Sequence, residues 1–218
     1  MKKYLEKIIR QESFSRDEAR DFLMSSITAE ANSESIAGVL IGVQLRGIQL
    51  EELIGFREAL LELMKPVQVD GTNAIDLCGT GGDGKNTFNI STASSLLLAS
   101  MGYKVVKHGN YGVSSVSGSS NVLEELGFTF TTDSIELQRS LDEKNICFLH
   151  APLFHPALAK IAPIRKRLGI RTLFNALGPL VNPVQPEYQL TGTYSLELAQ
   201  LYKHVLKKER KNYKVIHG

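Results

Sequence analysis

A run of glycines separates an apolar segment from a helix-like segment near the middle of the chain. The sequence LCGTGGDGKNTFNIST spans residues 77–92 and continues the apolar stretch AIDLC. Its four glycines are Gly79, Gly81, Gly82 and Gly84. Glycine lacks Cβ, so it permits a positive φ and lets a ligand touch the backbone. A glycine loop that opens a helix also presents free N–H groups to an anion, and phosphate is the commonest such anion.

Asp83 is the unusual member of this stretch. A carboxylate repels phosphate unless it accepts hydrogen bonds from ribose hydroxyls or meets a metal ion. The stretch is not a P-loop, because no Gly-Lys-Ser or Gly-Lys-Thr follows at the required spacing. The alternative is a tight strand-to-helix turn without a ligand, but such a turn needs one or two glycines rather than four. The sequence therefore favours an anion site here.

A second stretch repeats the pattern. VVKHGNYGVSSVSGSSNVLEELG, residues 105–127, runs from an apolar strand through Lys107 and His108 to small polar residues and a helix. Lys107 stands at the carboxyl end of the strand, where ligands bind in open α/β sheets. Gly118 and Ser119 open a second helix N-terminus. Two such sites and one lysine suit a ligand with phosphate at both ends, while His108 is equally a packed residue or a catalytic base.

The rest of the sequence divides into two parts with different secondary-structure patterns. Residues 1–66 show helical patterns only, including a capping box at Ser15 and Glu18 and a stop at Pro66. Beyond about residue 70, strand-like runs alternate with helical ones. The strands are predicted at 74–78, 104–107, 146–149, 188–194 and 213–217, and the helices near 92–101, 118–127, 134–144 and 195–208. This alternation predicts an α/β fold with a mostly parallel sheet flanked by helices.

One proline-rich segment is predicted to be irregular. NALGPLVNPVQPEY, residues 175–188, contains three prolines and is interpreted as a loop. We expect residues 1–66 to form a small helical domain, joined by part of 152–185. Residues 67–218 would form the larger α/β domain.

Composition excludes several classes of protein. The formal net charge is +2, from 25 basic and 23 acidic residues, which gives no electrostatic case for nucleic acid or an acidic membrane. Cys78 and Cys147 form no CxxC motif and are interpreted as buried thiols in a reducing compartment. No run approaches the ~18 apolar residues of a membrane span. The charged N-terminus lacks the features of a signal peptide, so we expect a cytoplasmic protein.

Taken together, the motifs resemble one family. GTGGD at 79–83, NIST at 89–92, KHGN at 107–110 and SGSSNVLEELG at 117–127 are similar to motifs of the anthranilate phosphoribosyltransferases, as is the segment 154–183. These are pentosyl-transferring glycosyltransferases of tryptophan biosynthesis, a branch of aromatic amino-acid biosynthesis. The resemblance implies a nucleoside phosphorylase/phosphoribosyltransferase type of fold. It also implies transfer of phosphoribose from phosphoribosyl pyrophosphate (PRPP) to the amine of anthranilate.

The resemblance also implies residue roles. Lys107, Asp83 and Arg165 would be the catalytic residues. Asn110, His108 and Arg165 would line the anthranilate path, with Arg165 pairing with the anthranilate carboxylate, and Ser119 would add a donor at the pyrophosphate. Ser91 would contact Mg²⁺, the implied cofactor. The implied substrate-binding residues are Gly79, Thr80, Gly81, Gly82, Asp83, Thr87, Asn89, Ser91, Thr92, Lys107, His108, Gly109, Asn110, Ser115, Ser119 and Arg165.

Two features depart from the family pattern. Tyr111 follows KHGN, where the family usually has Arg. Family members also continue past VIHG, which here ends at Gly218, and carry an Asp-Glu pair that binds magnesium soon afterward. The resemblance therefore implies a C-terminally shortened member with an incomplete α/β domain. We expect the 218-residue chain to have little or no transferase activity unless it is extended beyond Gly218 through such a pair, and the run at 213–217 to form an exposed sheet edge.

Two other functions and one assembly are considered. A nucleoside phosphorylase of the same fold would present a different phosphate pattern and no KHGN. A non-catalytic relative that binds nucleic acid would show eroded motifs and a basic face. A homodimer through residues 1–66 is expected, because the family forms one there. Gly38 and Gly42 would let a second helix approach closely, either from another chain or within the same domain.

Overall fold

Helices form the first part of the chain. The computed structural model describes residues 1–28, 30–81, 88–112, 117–209 and 211–217. The opening helices are α1 (Lys2–Ile9), α2 (Arg16–Ser26), α3 (Ser33–Arg46) and α4 (Leu50–Leu63). The predicted capping box is confirmed, because Ser15 accepts from the backbone of Glu18 and the Glu18 side chain accepts from the backbone of Ser15. Helix α4 ends before Pro66, as expected.

The sheet lies in the second part of the chain. Within the described residues its strands are β1 (Ile75–Leu77), β2 (Val105–Gly109), β3 (Ile146–His150), β4 (Tyr188–Gly192) and β5 (Asn212–Ile216). Their order is β3-β2-β1-β4-β5, and all pairs are parallel. Each predicted strand is thereby confirmed. Because all strands run the same way, the carboxyl ends of the central strands β1, β2 and β4 meet at one edge of the sheet.

The predicted helices of this part are confirmed as well. They are α5 (Ile90–Ser100), α6 (Ser119–Glu125), α7 (Ser134–Lys144) and α11 (Leu196–Lys208). Three short helices lie between β3 and β4: α8 (Ala151–Phe154), α9 (Ala162–Leu168) and α10 (Leu173–Leu177). Strand β5 is an outer strand among those described, and its residues alternate between exposed and half-buried.

The prediction of a loop at 175–188 is wrong for its first half. Residues 175–177 complete α10, and Gly178–Leu180 form a 3₁₀ turn. The backbone N–H of Thr172 donates to the side chain of Asn175 at the start of α10. Leu173, Phe174 and Leu177 are buried in the helical core. Pro179 lies within the 3₁₀ turn, and Pro183 and Pro186 lie beyond it. All three prolines therefore follow α10 and do not interrupt it.

The hydrophobic core of the helical part includes later residues. Tyr4, Phe22 and Leu40 belong to one cluster of buried residues that also contains Ile161 and Tyr202. Smaller clusters lie on the two faces of the sheet. The large cluster contains residues of α1–α4, of the segment 161–181 and of α11. Because α11 belongs to the predicted α/β part, the expectation that part of 152–185 joins the helical domain stays a prediction. The division of the chain at residue 66 stays a prediction.

The two glycines of α3 face another helix of the same chain. A Cβ on Gly38 would touch the side chain of Leu5, and one on Gly42 would collide with Ile8. Both partners belong to α1. The glycines therefore allow a close contact within the chain, which is one of the two interpretations left open above. They no longer support a dimer, which stays a prediction on other grounds.

Candidate functional site

The carboxyl ends of β1 and β2 carry most of the predicted site residues. Gly79, Thr80 and Gly81 follow β1, Lys107 to Asn110 form the end of β2 and its exit, and Ser91 and Ser119 lie in the first turns of α5 and α6. Asn89 precedes α5, and its side-chain nitrogen lies 3.5 Å from the Ser117 hydroxyl beside α6. The two glycine-containing connections therefore meet. Gly82, Asp83, Thr87 and Ser115 lie outside the described residues.

Lys107 is the buried cation of this edge. Only 2% of its surface is exposed. Its Nζ donates to the carbonyl oxygen of Leu77 at 2.7 Å and lies 3.5 Å from the Ser91 hydroxyl. Burial lowers the pKa of its ammonium, while the charge of Asp76 opposes that shift. No carboxylate of the described residues forms an ion pair with Lys107. The ammonium is therefore oriented by neutral oxygens and can still bind an anion.

Asp76 supports this arrangement, and the sequence reasoning missed it. Its carboxylate accepts from the backbone N–H of His108 at 3.2 Å and from the side chain of Asn182 at 3.0 Å. Burial raises its pKa to about 6, opposed by Lys107 and by these two donors. The signal in the sequence was a lone acidic residue inside the apolar strand AIDLC. A buried carboxylate needs such partners, because burial of an unpaired charge is costly.

His108 packs as a neutral imidazole. Its Nδ1 lies 3.1 Å from the carbonyl oxygen of Gly178, so Nδ1 carries the proton that is donated. Its Nε2 is buried and has no partner among the described residues. Burial lowers the pKa to about 3, and the ring of His155 5.5 Å away adds to this shift. A group with so low a pKa is a poor general base at neutral pH.

The first glycine connection is fastened to β4. The Thr80 N–H donates to the carbonyl of Gly192 at 2.9 Å, and the Thr80 hydroxyl accepts from the Tyr194 N–H at 3.1 Å. Gly81 has a φ of +63°, which favours glycine. A Cβ on Gly79 would meet only an ordinary contact with Gly192. Among the described glycines of this connection, Gly81 is therefore the one whose backbone conformation requires glycine.

Helix α5 offers a second buried hydroxyl. Thr92 is 2% exposed, and its Oγ1 has no partner among the described residues. Ser91 precedes it and contacts Lys107, as described above. Both hydroxyls lie in the first turn of α5, where the N–H groups of Ile90, Thr92 and Ala93 already donate to backbone carbonyls, so the hydroxyls are the donors that this turn offers to an anion.

The second connection places Gly109 against α6. A Cβ on Gly109 would collide with the hydroxyl of Ser119. The carbonyl of Asn110 accepts from the Ser120 N–H at 3.1 Å and from the Ser119 hydroxyl at 3.4 Å. The end of β2 and the start of α6 are therefore in contact, and Gly109, Asn110 and Ser119 lie close together.

Arg165 lies apart from the strand ends, on α9. Its guanidinium sits over the ring of Phe174, 5.2 Å from the centroid. Its Nε is buried without a partner, and no ion pair is found for it in the part of the chain described. Burial lowers its pKa to about 10, which leaves it charged at neutral pH. Phe174 belongs to α10, and Gly178 directly after α10 contacts His108, so α10 connects Arg165 to the end of β2.

Tyr111 makes contacts that the sequence did not reveal. Its hydroxyl donates to Glu124 at 2.6 Å, and its ring meets that of His150 edge-on at 4.8 Å. His150 in turn stacks on Phe130 and lies 2.8 Å from the hydroxyl of Ser120. Tyr111 thus ties the exit of β2 to α6 and β3. The sequence showed only that an arginine is usual at this position.

The described residues do not form a metal site by themselves. They contain no cluster of three or more His, Cys, Asp or Glu side chains. Ser91, the predicted ligand, is a neutral hydroxyl that lies 3.5 Å from the Lys107 ammonium. Mg²⁺ prefers carboxylate or phosphate oxygens. These residues therefore do not fit a resident Mg²⁺ ion.

The acidic pair of the family pattern is a prediction about a segment outside this sequence. Its expected place is beyond Gly218, and the 218-residue sequence does not contain that segment. Gly218 itself lies outside the described residues, which end at His217 on the carboxyl side of β5. The prediction that such a pair would complete the metal site therefore stays a prediction.

Family models match both parts of the chain. The helical bundle domain of the glycosyl transferase family matches residues 2–64. The a/b domain of the same family matches residues 71–218. The chain belongs to the glycosyl transferase family. The predicted combination of a helical domain with a parallel, helix-flanked sheet is confirmed for this family member.

Individual relatives support the resemblance seen in the sequence. This glycosyl transferase family member is 51% identical to the anthranilate phosphoribosyltransferase of Flavobacterium psychrophilum and 52% identical to that of Christiangramia forsetii. Both comparisons cover 100% of this chain and 66% of the relative. The resemblance to anthranilate phosphoribosyltransferases is thereby confirmed.

Solved structures show the same similarity. Anthranilate phosphoribosyltransferase from Thermus thermophilus superposes with a TM-score of 0.87 at 34% identity, covering 99% of this chain and 65% of that one. The Saccharomyces cerevisiae enzyme in complex with PRPP and Mg gives 0.85 at 27% identity, covering 99% and 64%. The chain thus spans about two thirds of the length of these relatives. No helix in the described ranges is long and apolar enough to cross a membrane.

Proposed function

We propose that this chain carries the PRPP-binding machinery of an anthranilate phosphoribosyltransferase. The enzyme transfers phosphoribose from PRPP to the amine of anthranilate and releases pyrophosphate. One observation carries the proposal: Lys107 is buried at the sheet edge, oriented by Leu77 and Ser91, with no carboxylate ion pair among the described residues. A buried ammonium held by neutral oxygens is suited to a strongly anionic ligand.

The chemistry follows from where charge develops. The amine nitrogen of anthranilate attacks C1 of the ribose, and the C1–O bond to pyrophosphate breaks with its electron pair going to the leaving group. Negative charge grows on the pyrophosphate as the ribose becomes oxocarbenium-like. Lys107 and the Ser91 and Thr92 hydroxyls at the start of α5 stabilise that charge because they are positioned before the reaction. The amine proton leaves after the new C–N bond forms.

The acceptor needs orientation more than a base. Aromatic amines are weakly basic, so deprotonation before attack is unnecessary. This agrees with the neutral state of His108, whose pKa is about 3. Arg165 pairs with the anthranilate carboxylate, for which a guanidinium is well shaped. Holding the two substrates in line supplies much of the remaining acceleration.

Mg²⁺ accompanies PRPP in this proposal rather than residing in the protein. The yeast enzyme was solved in complex with PRPP and Mg. Substrate phosphates commonly provide most ligands of a bound Mg²⁺. Ser91 would be its contact from the described residues.

Calorimetric titration of PRPP tests the binding half of the proposal. We expect saturable PRPP binding to this protein, stronger with Mg²⁺ than with chelator. The loss of anthranilate fluorescence on addition of PRPP and Mg²⁺ tests the transfer itself. Absence of PRPP binding under both conditions would overturn the proposal.

The alternatives predict other results. A nucleoside phosphorylase would release free base from a nucleoside and inorganic phosphate without PRPP. A nucleic-acid-binding relative would bind DNA with an affinity that falls as salt rises. No observation on the described residues favours either one.

Three further expectations belong to this proposal. The protein acts in the cytoplasm, forms a homodimer through its helical domain, and uses residues 67–218 as the PRPP-binding domain. Light scattering at micromolar concentration tests the dimer, and a monomer there would contradict it.

A further inference from the structure

Asn121 joins two backbone segments beside the predicted substrate surface. Its Oδ1 accepts from the N–H of Gly112 at 3.0 Å and from the N–H of Gly118 at 2.9 Å. One carbonyl oxygen has two lone pairs, so it can accept both bonds at once. Since both donors are N–H groups, the atom facing them must be the oxygen of the carboxamide. Asn121 lies in the first turn of α6 and was not among the predicted site residues.

The two segments also touch each other directly. A Cβ on Gly118 would collide with the carbonyl of Asn110, the nitrogen of Gly112 and the carbon of Tyr111. Only glycine lets the backbone at 110–112 come this close to residue 118. The contact and the double hydrogen bond are independent observations, and both bring the exit of β2 against the start of α6.

This junction sets the position of two predicted substrate contacts. The Asn110 carbonyl accepts from the Ser120 N–H at 3.1 Å, and the Ser119 hydroxyl lies 3.4 Å from the same carbonyl. Ser120 is buried, and its hydroxyl lies 2.8 Å from Nδ1 of His150 on β3. Asn110 and Ser119 are therefore held between Asn121 on one side and β3 on the other.

We propose that Asn121 is a positioning residue for the substrate surface formed by Gly109, Asn110 and Ser119, and above all for Ser119 at the pyrophosphate. This inference rests on the proposed function. Asn121 acts through the backbone of Gly112 and Gly118 and need not touch PRPP.

Three variants of α6 separate positioning from general stability. Asn121→Leu has similar volume and no acceptor, whereas Asn121→Asp keeps the acceptor. Glu125→Leu is the matched control, since Glu125 is exposed one turn further along the same helix. Loss of two backbone hydrogen bonds predicts about tenfold weaker PRPP binding for Asn121→Leu. We expect Asn121→Asp to bind PRPP within about threefold of the unmodified chain, because it retains both bonds, and Glu125→Leu to be unchanged.

The substrate that responds is part of the test. By calorimetry, Asn121→Leu should weaken PRPP binding more than anthranilate binding, because Arg165, which pairs with the anthranilate carboxylate, lies on a different helix. A merely structural role would lower the thermal midpoint without this selectivity. Equal PRPP affinity in folded Asn121→Leu and the unmodified chain would overturn the inference.

Amide hydrogen exchange checks the junction without any ligand. The N–H groups of Gly112 and Gly118 should exchange slowly in the unmodified chain and in Asn121→Asp, and at least about tenfold faster in Asn121→Leu. Unprotected N–H groups in the unmodified chain would overturn the inference even if PRPP binds. Slow exchange together with no PRPP binding in the unmodified chain would instead contradict the proposed function.

A second variant applies if Asn121→Leu does not fold. Gly118→Ala leaves Asn121 intact but pushes residues 110–112 away from α6. It should weaken PRPP binding by about tenfold as well, since it breaks the same junction. Unchanged PRPP binding by Gly118→Ala would overturn the inference.

Discussion

Lys107 and Arg165 are both shielded cations without an ion pair in the described residues, yet their surroundings differ. Lys107 projects from a central strand and is held by the Leu77 carbonyl, with the Asp76 carboxylate nearby. Arg165 projects from a short helix, and its guanidinium lies over the face of the Phe174 ring. One cation is oriented by oxygen atoms and the other by a π surface.

The difference matches two kinds of ligand. A polyphosphate is compact and highly charged, and a lysine with fixed direction provides a point charge for it. An aromatic carboxylate is planar and partly apolar, and a guanidinium beside an aromatic ring offers both an ionic and an apolar surface. We infer that the groups that orient the two cations, the Leu77 carbonyl and the Phe174 ring, contribute to substrate selectivity as much as the cations themselves.

Lys107→Ala should have the largest effect. Removing the charged partner of a desolvated anion predicts a loss of about 2–4 kcal/mol in PRPP binding, measured by calorimetry. Lys104→Ala is the matched control, because Lys104 pairs with Asp142 on the surface just before the same strand. Unchanged PRPP affinity in Lys107→Ala would refute its assignment to phosphate.

Arg165→Ala should come next and should affect the other substrate. We expect a loss of about 1.5–3 kcal/mol in anthranilate binding, the range for a hydrogen bond to a charged group. PRPP affinity should stay the same. Arg167→Ala, an exposed arginine on the same helix, serves as the control. A loss of PRPP binding instead of anthranilate binding would show that the two ends have been assigned wrongly.

Asp76→Asn tests the support of Lys107 through pH. Burial raises the pKa of Asp76 to about 6, so the folded state binds a proton more readily than the unfolded state. Its contribution to stability is therefore full below about pH 4 and is lost as pH rises through about 6. Through this group the free energy of unfolding, measured with urea, should be on the order of 2 kcal/mol lower at pH 7 than at pH 4.5. Asp76→Asn should abolish this part of the pH dependence.

The control for this pH effect has the opposite sign. The pKa of Asp142 is lowered by its contacts with Gln138 and Lys104, so its contribution to stability is lost as pH falls. Asp142→Asn should change the pH dependence in the direction opposite to Asp76→Asn. The same pH dependence in Asp76→Asn and the unmodified chain would mean that Asp76 is not the titrating group.

Phe174→Leu should have the smallest effect and tests the support of Arg165. Loss of the cation–π contact predicts about 0.5–1 kcal/mol weaker anthranilate binding, with PRPP binding unchanged. A calorimetric affinity for anthranilate equal to that of the unmodified chain would show that the ring does not orient Arg165. The comparison between the two cations would then rest on Lys107 alone.

Local signals explain why much of the fold was predictable. The capping box at Ser15 satisfies its own helix terminus, and each strand showed a short apolar run next to a turn. The position of Lys107 followed from its place at the end of such a run. The prediction of a loop at 175–188 fails over its first residues because a proline ends a helix only where it stands inside it. Helix α10 ends before the first proline of the segment and is stabilised by burial of Leu173 and Phe174.

By itself the sequence determined the alternation of strands and helices, the glycine connections, and the family that they resemble, because each depends on residues near one another in the chain. Only the tertiary structure decided which groups pair. Asn182 reaches Asp76 across 106 residues, and Gly178 orients His108 across 70. A sequence shows which donors and acceptors exist, but burial and chain crossing decide which of them meet. The same physical reason hid the role of Asn121, whose oxygen serves two N–H groups that come together only after β2 and α6 have packed.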